Sequence, residues 1–199
     1  MAATKVIEVA AVSIQTLHIE IEGDTPLLCH KFSETSKAEM LAKQMGKKKQ
    51  RAPKDPERDF LESIYQAQEG WYGFPADGIK ASCVGACRFV SDLPMTEARG
   101  AFFVMAQGRD KDSNQQLVLL NGEPEMHEAM VRLRNVADIH YRAMFDPWSI
   151  SFDVRYNPLV ITNEAILNLV QLAGFHQGIG DWRPEKNGTM GMFHVKSAK

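Results

Sequence analysis

GFHQGIGDWRPEKNGTMGMFHV, residues 174–195, holds five glycines, a proline and a Trp-Arg pair between a helix-like segment and a strand-like one. Upstream, ITNEAILNLVQLAG (161–174) sets Ile166, Leu169, Val170 and Ala173 on one stripe at helical spacing. Thr162 is the expected N-cap, Glu164 stands in the first turn, and Gly174 is the expected stop. Downstream, MGMFHV (190–195) reads as a strand. Gly178, Gly180, Gly188 and Gly191 dispense with Cβ atoms, which suits close approach of a ligand or of another backbone. Trp182 offers a stacking surface and Arg183 a phosphate fork. A turn that only packs on the first strand is the plainer alternative. The position excludes a dinucleotide fingerprint, which leaves a first strand and opens a helix.

Working outward, SIQTLHIEIEG (13–23) alternates, with Leu17, Ile19 and Ile21 on one side and His18, Glu20 and Glu22 on the other: a half-buried strand. FPADGIKASCVGACRFV (74–90) repeats Ile79, Cys83, Ala86, Cys87 and Val90 at helical spacing, with small residues between them and Asp77 in the first turn. AFFVMAQG (101–108) and QQLVLL (115–120) read as strands. ADIHYRAMFDPWSISFDVRYN (137–157) reads as two paired strands joined near Asp146-Pro147. On this reading His140, Arg142 and Met144 face away from the helices, and so do Ser151, Asp153 and Arg155. Compressed, the order is β-α-β-β-α-β. The expected class is α+β: a ferredoxin-like, RNA-recognition-motif-like sheet with two helices on one face and a basic helical insertion.

The 199 residues fit a single domain, 1–199, within which 30–70 has too few apolar residues to form its own core. That segment is the insertion. Residues 37–58 carry a local charge of +5, which leaves −7 for the rest of a chain whose net charge is −2. A basic arm on a mildly acidic body suits a polyanion partner. Lys47, Lys48, Lys49 and Arg51 form the arm, and Arg142 and Arg155 are the phosphate contacts expected from the sheet.

Three cysteines without CxxC spacing give no disulfide framework, and Cys29, Cys83 and Cys87 are read as small buried residues. The six histidines show no HExxH or HxH spacing, and no GxSxG or P-loop occurs. No metal, cofactor or catalytic residue is therefore assigned. No apolar run is long enough to cross a membrane and no signal peptide is read, so the expected location is cytoplasmic.

Two stretches carry a family resemblance. GIGDWRPEKNGTMGMFHV, with its G-hydrophobic-G…R…G-x-x-G-x-F pattern, resembles the glycine-rich loop of the repeat-associated mysterious proteins (RAMPs). This RNA-binding superfamily supplies backbone and processing subunits to CRISPR effector complexes. FPADGIKASCVGACRFV is similar to the family's first helix, with Lys80 in its P-x-x-x-hydrophobic-K entry. The resemblance covers the first strand and about residues 71–195. It implies binding of single-stranded RNA or DNA, RNA by preference, with little regard to sequence. It also implies self-association along the strand or membership of a nucleoprotein complex. The size suits a compact relative, from a phage or mobile element among other sources. Two alternatives stay open. One is an interaction protein that caps or mimics a complex subunit. The other is a metal-independent RNA endonuclease using a histidine such as His30, with lysines as general acid and base.

Overall fold

A computed structural model describes residues 12–32, 34–46, 53–133 and 136–199. The arm residues Lys47, Lys48, Lys49 and Arg51 lie outside the described residues.

The larger of two antiparallel sheets contains β1 (Gln15–Gly23), β3 (Gly73–Pro75), β4 (Phe102–Met105), β5 (Gly108–Arg109), β6 (Gln116–Asn121), β9 (Ser149–Tyr156) and β10 (Phe193–Ala198). Its order is β10-β1-β9-β6-β3. β9 pairs with β1 along its whole length, and its other edge is shared end to end. Ser149–Ser151 meets β6, and Asp153–Tyr156 meets β4. The smaller sheet is β2 (Leu27–Cys29), β8 (Val136–Phe145) and β7 (Pro124–Leu133), in the order β2-β8-β7. Five α-helices complete the described residues: α1 (Glu34–Gln44), α2 (Pro56–Glu62), α3 (Ala76–Ala86), α4 (Met95–Ala101) and α5 (Asn163–His176).

The helices α3 and α5 pack together over the larger sheet, α3 on β4 and β6 and α5 on β10. Leu17, Ile19 and Ile21 of β1 and Ile150, Phe152 and Val154 of β9 face them. Ile79 and Cys83 of α3 and Ile166, Leu169 and Val170 of α5 meet those strands from the other side. Thr162 caps α5 as expected, its hydroxyl accepting from the Ala165 amide at 3.1 Å. All three cysteines are buried free thiols. Burial pushes Cys29 and Cys83 up to about 12, so neither is a ready nucleophile.

The mixed α+β class with antiparallel sheets holds, but three expectations are corrected. The strands read as a pair within 137–157 are not partners, because β8 belongs to the smaller sheet and β9 to the larger. Both alternate, and an Asp-Pro turn does join them, so the local signal for a hairpin is present. Long-range pairing overrides it. β7, which was not read as a strand, takes one edge of β8, and β2 takes part of the other. Trp148 pins the crossing: it is buried, packs where Gly23 has no Cβ, and donates its indole N–H to the Thr25 carbonyl at 2.8 Å.

Second, Gly174 does not stop its helix. A Cβ there would lie 1.8 Å from the Phe193 carbonyl oxygen, so this glycine lets α5 settle onto β10. The helix runs on to His176, and the turn out is made at Gly178, whose φ is +63°. The amides of Gln177 and Gly178 both donate to the Ala173 carbonyl, at 2.9 and 2.8 Å. Third, the described residues form ten strands in two sheets, a richer order than the six-element pattern expected.

The second sheet is stitched to the segment before α3. The Ser63 hydroxyl accepts from the Ala143 amide at 2.8 Å, and the Ser63 carbonyl accepts from the Lys31 amide at 3.1 Å. Lys31 itself is buried. Its ammonium donates to Asp110 at 2.9 Å and to Asp112 at 2.6 Å, tying the exit of β2 to the turn before β6.

Candidate nucleic-acid interface

The outer face of the larger sheet was expected to be basic. It carries both signs. Glu20, Glu22 and Asp153 lie there, and two of the nearby basic side chains pair with them. Lys196 reaches Glu20 at 3.4 Å and Glu22 at 3.3 Å, and His18 reaches Asp153 at 2.7 Å. At the rim His194 meets Asp24 at 2.7 Å. Arg155 is exposed on this face, beside Phe103 in register. Arg142 is not its neighbour, because β8 lies in the other sheet.

Arg142 instead anchors a cleft bounded by α2, β8 and the residues after β2. His30, Phe32, Lys54, Arg58, His140 and Arg142 are among its walls. A chain of polar contacts runs through it. His30 Nδ1 lies 3.4 Å from Asp181 of the glycine-rich loop, and Asp181 pairs with the Arg142 guanidinium. Arg142 donates to His140 Nδ1 at 3.0 Å. A guanidinium can only donate, so this ring nitrogen accepts, and the remaining proton sits on Nε2, 3.5 Å from Asp138. Lys54 then pairs with Asp138.

Burial, and then the Arg142 charge, lowers the pKa of both His30 and His140 below the ordinary histidine value. Both rings are therefore neutral near pH 7, held beside a fixed cation. Burial also lowers Arg142 itself.

The glycine-rich loop resolves into backbone packing. A Cβ at Gly188 would stand 1.7 Å from the Trp182 carbonyl, one at Gly191 1.9 Å from that of Ile179, and one at Gly180 2.5 Å from that of Leu28. The loop therefore folds on itself and on β2. Trp182 is half-exposed at φ +55°, available as a stacking surface. Arg183 is less available than its sequence suggests. Its Nε and Nη2 donate to Glu185 at 2.9 and 2.6 Å, and its Nη1 to the Gly180 carbonyl at 2.8 Å. Lys80 joins α3 to α4, donating to the Arg99 carbonyl at 2.8 Å with its ammonium 3.7 Å from the Phe103 ring centre.

The structure thus brings Arg142 and the loop together through Asp181, and leaves Arg155 and Lys80 apart from them. Sequence reading missed Asp181, and had His140 only as an outward-facing neighbour of Arg142, not as its partner. Neither sits in a motif, and only the packing of the loop on the second sheet joins them. Among the described residues no cluster of side chains suits a metal ion, and no helix is long and apolar enough to cross a membrane.

No protein-family model and no curated protein matches the chain. Among solved structures, it is similar to a chain of the Type III-B Cmr-beta complex bound to cognate target RNA, with 12% identity and a TM-score of 0.47. That match covers 94% of this chain and 60% of the other, so the chain spans under two thirds of that relative. It is also similar to Cmr6 from Pyrococcus furiosus, with 10% identity and a TM-score of 0.45, covering 93% of this chain and all of that one.

Proposed function

We propose that the chain binds single-stranded nucleic acid, RNA by preference, along the cleft between α2, β8 and the residues after β2. The observation that carries this reading is continuity of charge. The cleft walls include Lys54, Arg58 and Arg142 as well as Glu39, Asp59 and Glu62, and Lys54 lies three residues after Arg51, the last of the basic stretch Lys47, Lys48, Lys49 and Arg51. A basic stretch that leads in sequence to a cleft carrying Lys54, Arg58 and Arg142 suits a sugar-phosphate chain, which is held without regard to sequence.

On this reading the larger sheet corresponds to a ferredoxin-like core. The last strand lies beside the first, the first beside β9, and β4 and β6 beside β9 in turn. Non-catalytic binding within a CRISPR-type nucleoprotein complex, with protomers side by side along the strand, is the role we assign.

Fluorescence anisotropy with unstructured RNA and DNA oligonucleotides tests the reading, and absence of binding to either at low salt overturns it. Replacing Lys47, Lys48, Lys49 and Arg51 together by alanine is expected to weaken binding at least about tenfold. The slope of log affinity against log salt should become shallower by about 3, near 0.7 for each lost phosphate contact.

The histidines give a second expectation. A bound phosphate favours their charged form, so affinity rises as the pH falls from about 7.5 to about 5.5. Exchanging both His30 and His140 for glutamine should flatten that profile, read by the same titration.

RNA cleavage is a second reading, favoured by one contact. His30 Nδ1 faces Asp181 at 3.4 Å, an arrangement that orients an imidazole as a general base. Labelled RNA that stays intact in EDTA after hours with bound protein removes it.

A further inference from the structure

A second cleft, of about 370 Å³, opens on the other side of His30, between α3 and the glycine-rich loop. Tyr65 and Phe74 give it apolar wall, and Gly78, Ala81, Ser82 and Gly85 present the small-residue side of α3. Its size falls within the range of small-ligand sites. Small residues alone do not make a site, but Gln177 adds an independent observation. Its side chain lines the cleft, the residue is only 5% exposed, and the amide oxygen lies against Gly85, 2.6 Å from where a Cβ would stand. The backbone of Gln177 is committed to ending α5, yet its carboxamide makes no hydrogen bond among the described residues. The carboxamide atoms keep access to the cleft, so a ligand that supplies one donor and one acceptor can pair with both. Arg88, at the mouth, is exposed and has no ion-pair or hydrogen-bond partner among the described residues.

We infer that this cleft receives a single extruded nucleobase, adenine by preference, from the strand bound in the neighbouring cleft. This rests on the nucleic-acid reading above, and adds a point of base selectivity to otherwise indifferent binding. Gln177 meets the base edge, because a carboxamide matches the donor and acceptor of adenine in a two-bond pair. Tyr65 and Phe74 exclude water from the base, and Arg88 takes the phosphate of the extruded nucleotide. His30 lines both clefts and so marks where the strand would pass from one to the other.

The test is titration of the full chain with short oligoadenylate, oligouridylate and abasic strands. The expected result is a preference of about fivefold or more for oligoadenylate over the other two. Gln177→Leu, which keeps the side-chain volume, should bring the three within about twofold of one another. Ala81→Leu should do the same by filling the cleft from an exposed helical position without disturbing the core. A fluorescent adenine analogue within the strand should brighten on binding to the wild-type protein and not to Ala81→Leu. Equal wild-type affinity for all three strands overturns the base pocket and leaves the nucleic-acid reading standing. Failure to bind any strand overturns both.

Discussion

Lys31→Met is expected to destabilise the protein by about 3–5 kcal/mol, because it leaves the Asp110 carboxylate buried without its cation. The lysine side chain is only 4% exposed and that of Asp110 fully buried, so neither charge has water to fall back on. Burial alone would raise the Asp110 pKa. Hydrogen bonds from Lys31, Ser113 and Gln66 outweigh it and hold the carboxyl below its ordinary value. The pair is thus worth most when intact, and removing one member costs more than removing both. Lys31→Met combined with Asp110→Leu should recover part of the loss, read from urea-unfolding midpoints of the two variants. A single Lys31→Met variant as stable as wild type would show that the ion pair is not formed.

Gly174→Ala is expected to cost at least about 3 kcal/mol. Its Cβ would fall on the Phe193 carbonyl oxygen, and backbone lies on both sides of the clash, so neither α5 nor β10 can yield by turning a side chain. Gly100→Ala is the control. It too is a glycine within a helix, α4, but nothing lies within 4 Å of its Cβ position. There alanine should stabilise by up to about 1 kcal/mol through helix propensity. Opposite signs in thermal unfolding at two helical glycines would identify packing, not propensity, as what Gly174 serves.

These two positions also mark how far the sequence alone can be read. Elements with their own period were plain: the alternation of Leu17, Ile19 and Ile21 and the stripe of Ile166, Leu169, Val170 and Ala173 both face the core. Gly174 looked like a stop because glycine ends helices more often than it admits a strand from 19 residues away. The split of β8 from β9 was hidden for a related reason. A turn signal reports that the chain reverses, not which sheet receives it. Within the site, the basic residues were visible as a charge run, but their pairing was not. Arg142 looked like an outward cation until Asp181 of the loop stood beside it. A lone Asp between Gly180 and Trp182 carries no periodicity and no motif, so sequence offers no sign of that contact. The charge of the outer sheet face was partly legible in Glu20 and Glu22, but their neighbours become known only from the register of β1 with β9 and β10.

That register has a consequence for the order of assembly. β1 finds both its neighbours in β9 and β10, which begin at Ser149 and Phe193, while its own last residue is Gly23. This inner strand of the larger sheet is made before its partners and stays unpaired while more than a hundred residues follow it. Closing loops of that length is a slow step in folding, since the entropy of the loop is lost before any contact rewards it. A ribosome leaves such a strand as an open edge for much of synthesis, a state in which association with other chains competes with folding. The alternating His18, Glu20 and Glu22 bear on that interval. They give the waiting strand one charged face, which discourages stacking of two such edges before β9 and β10 arrive.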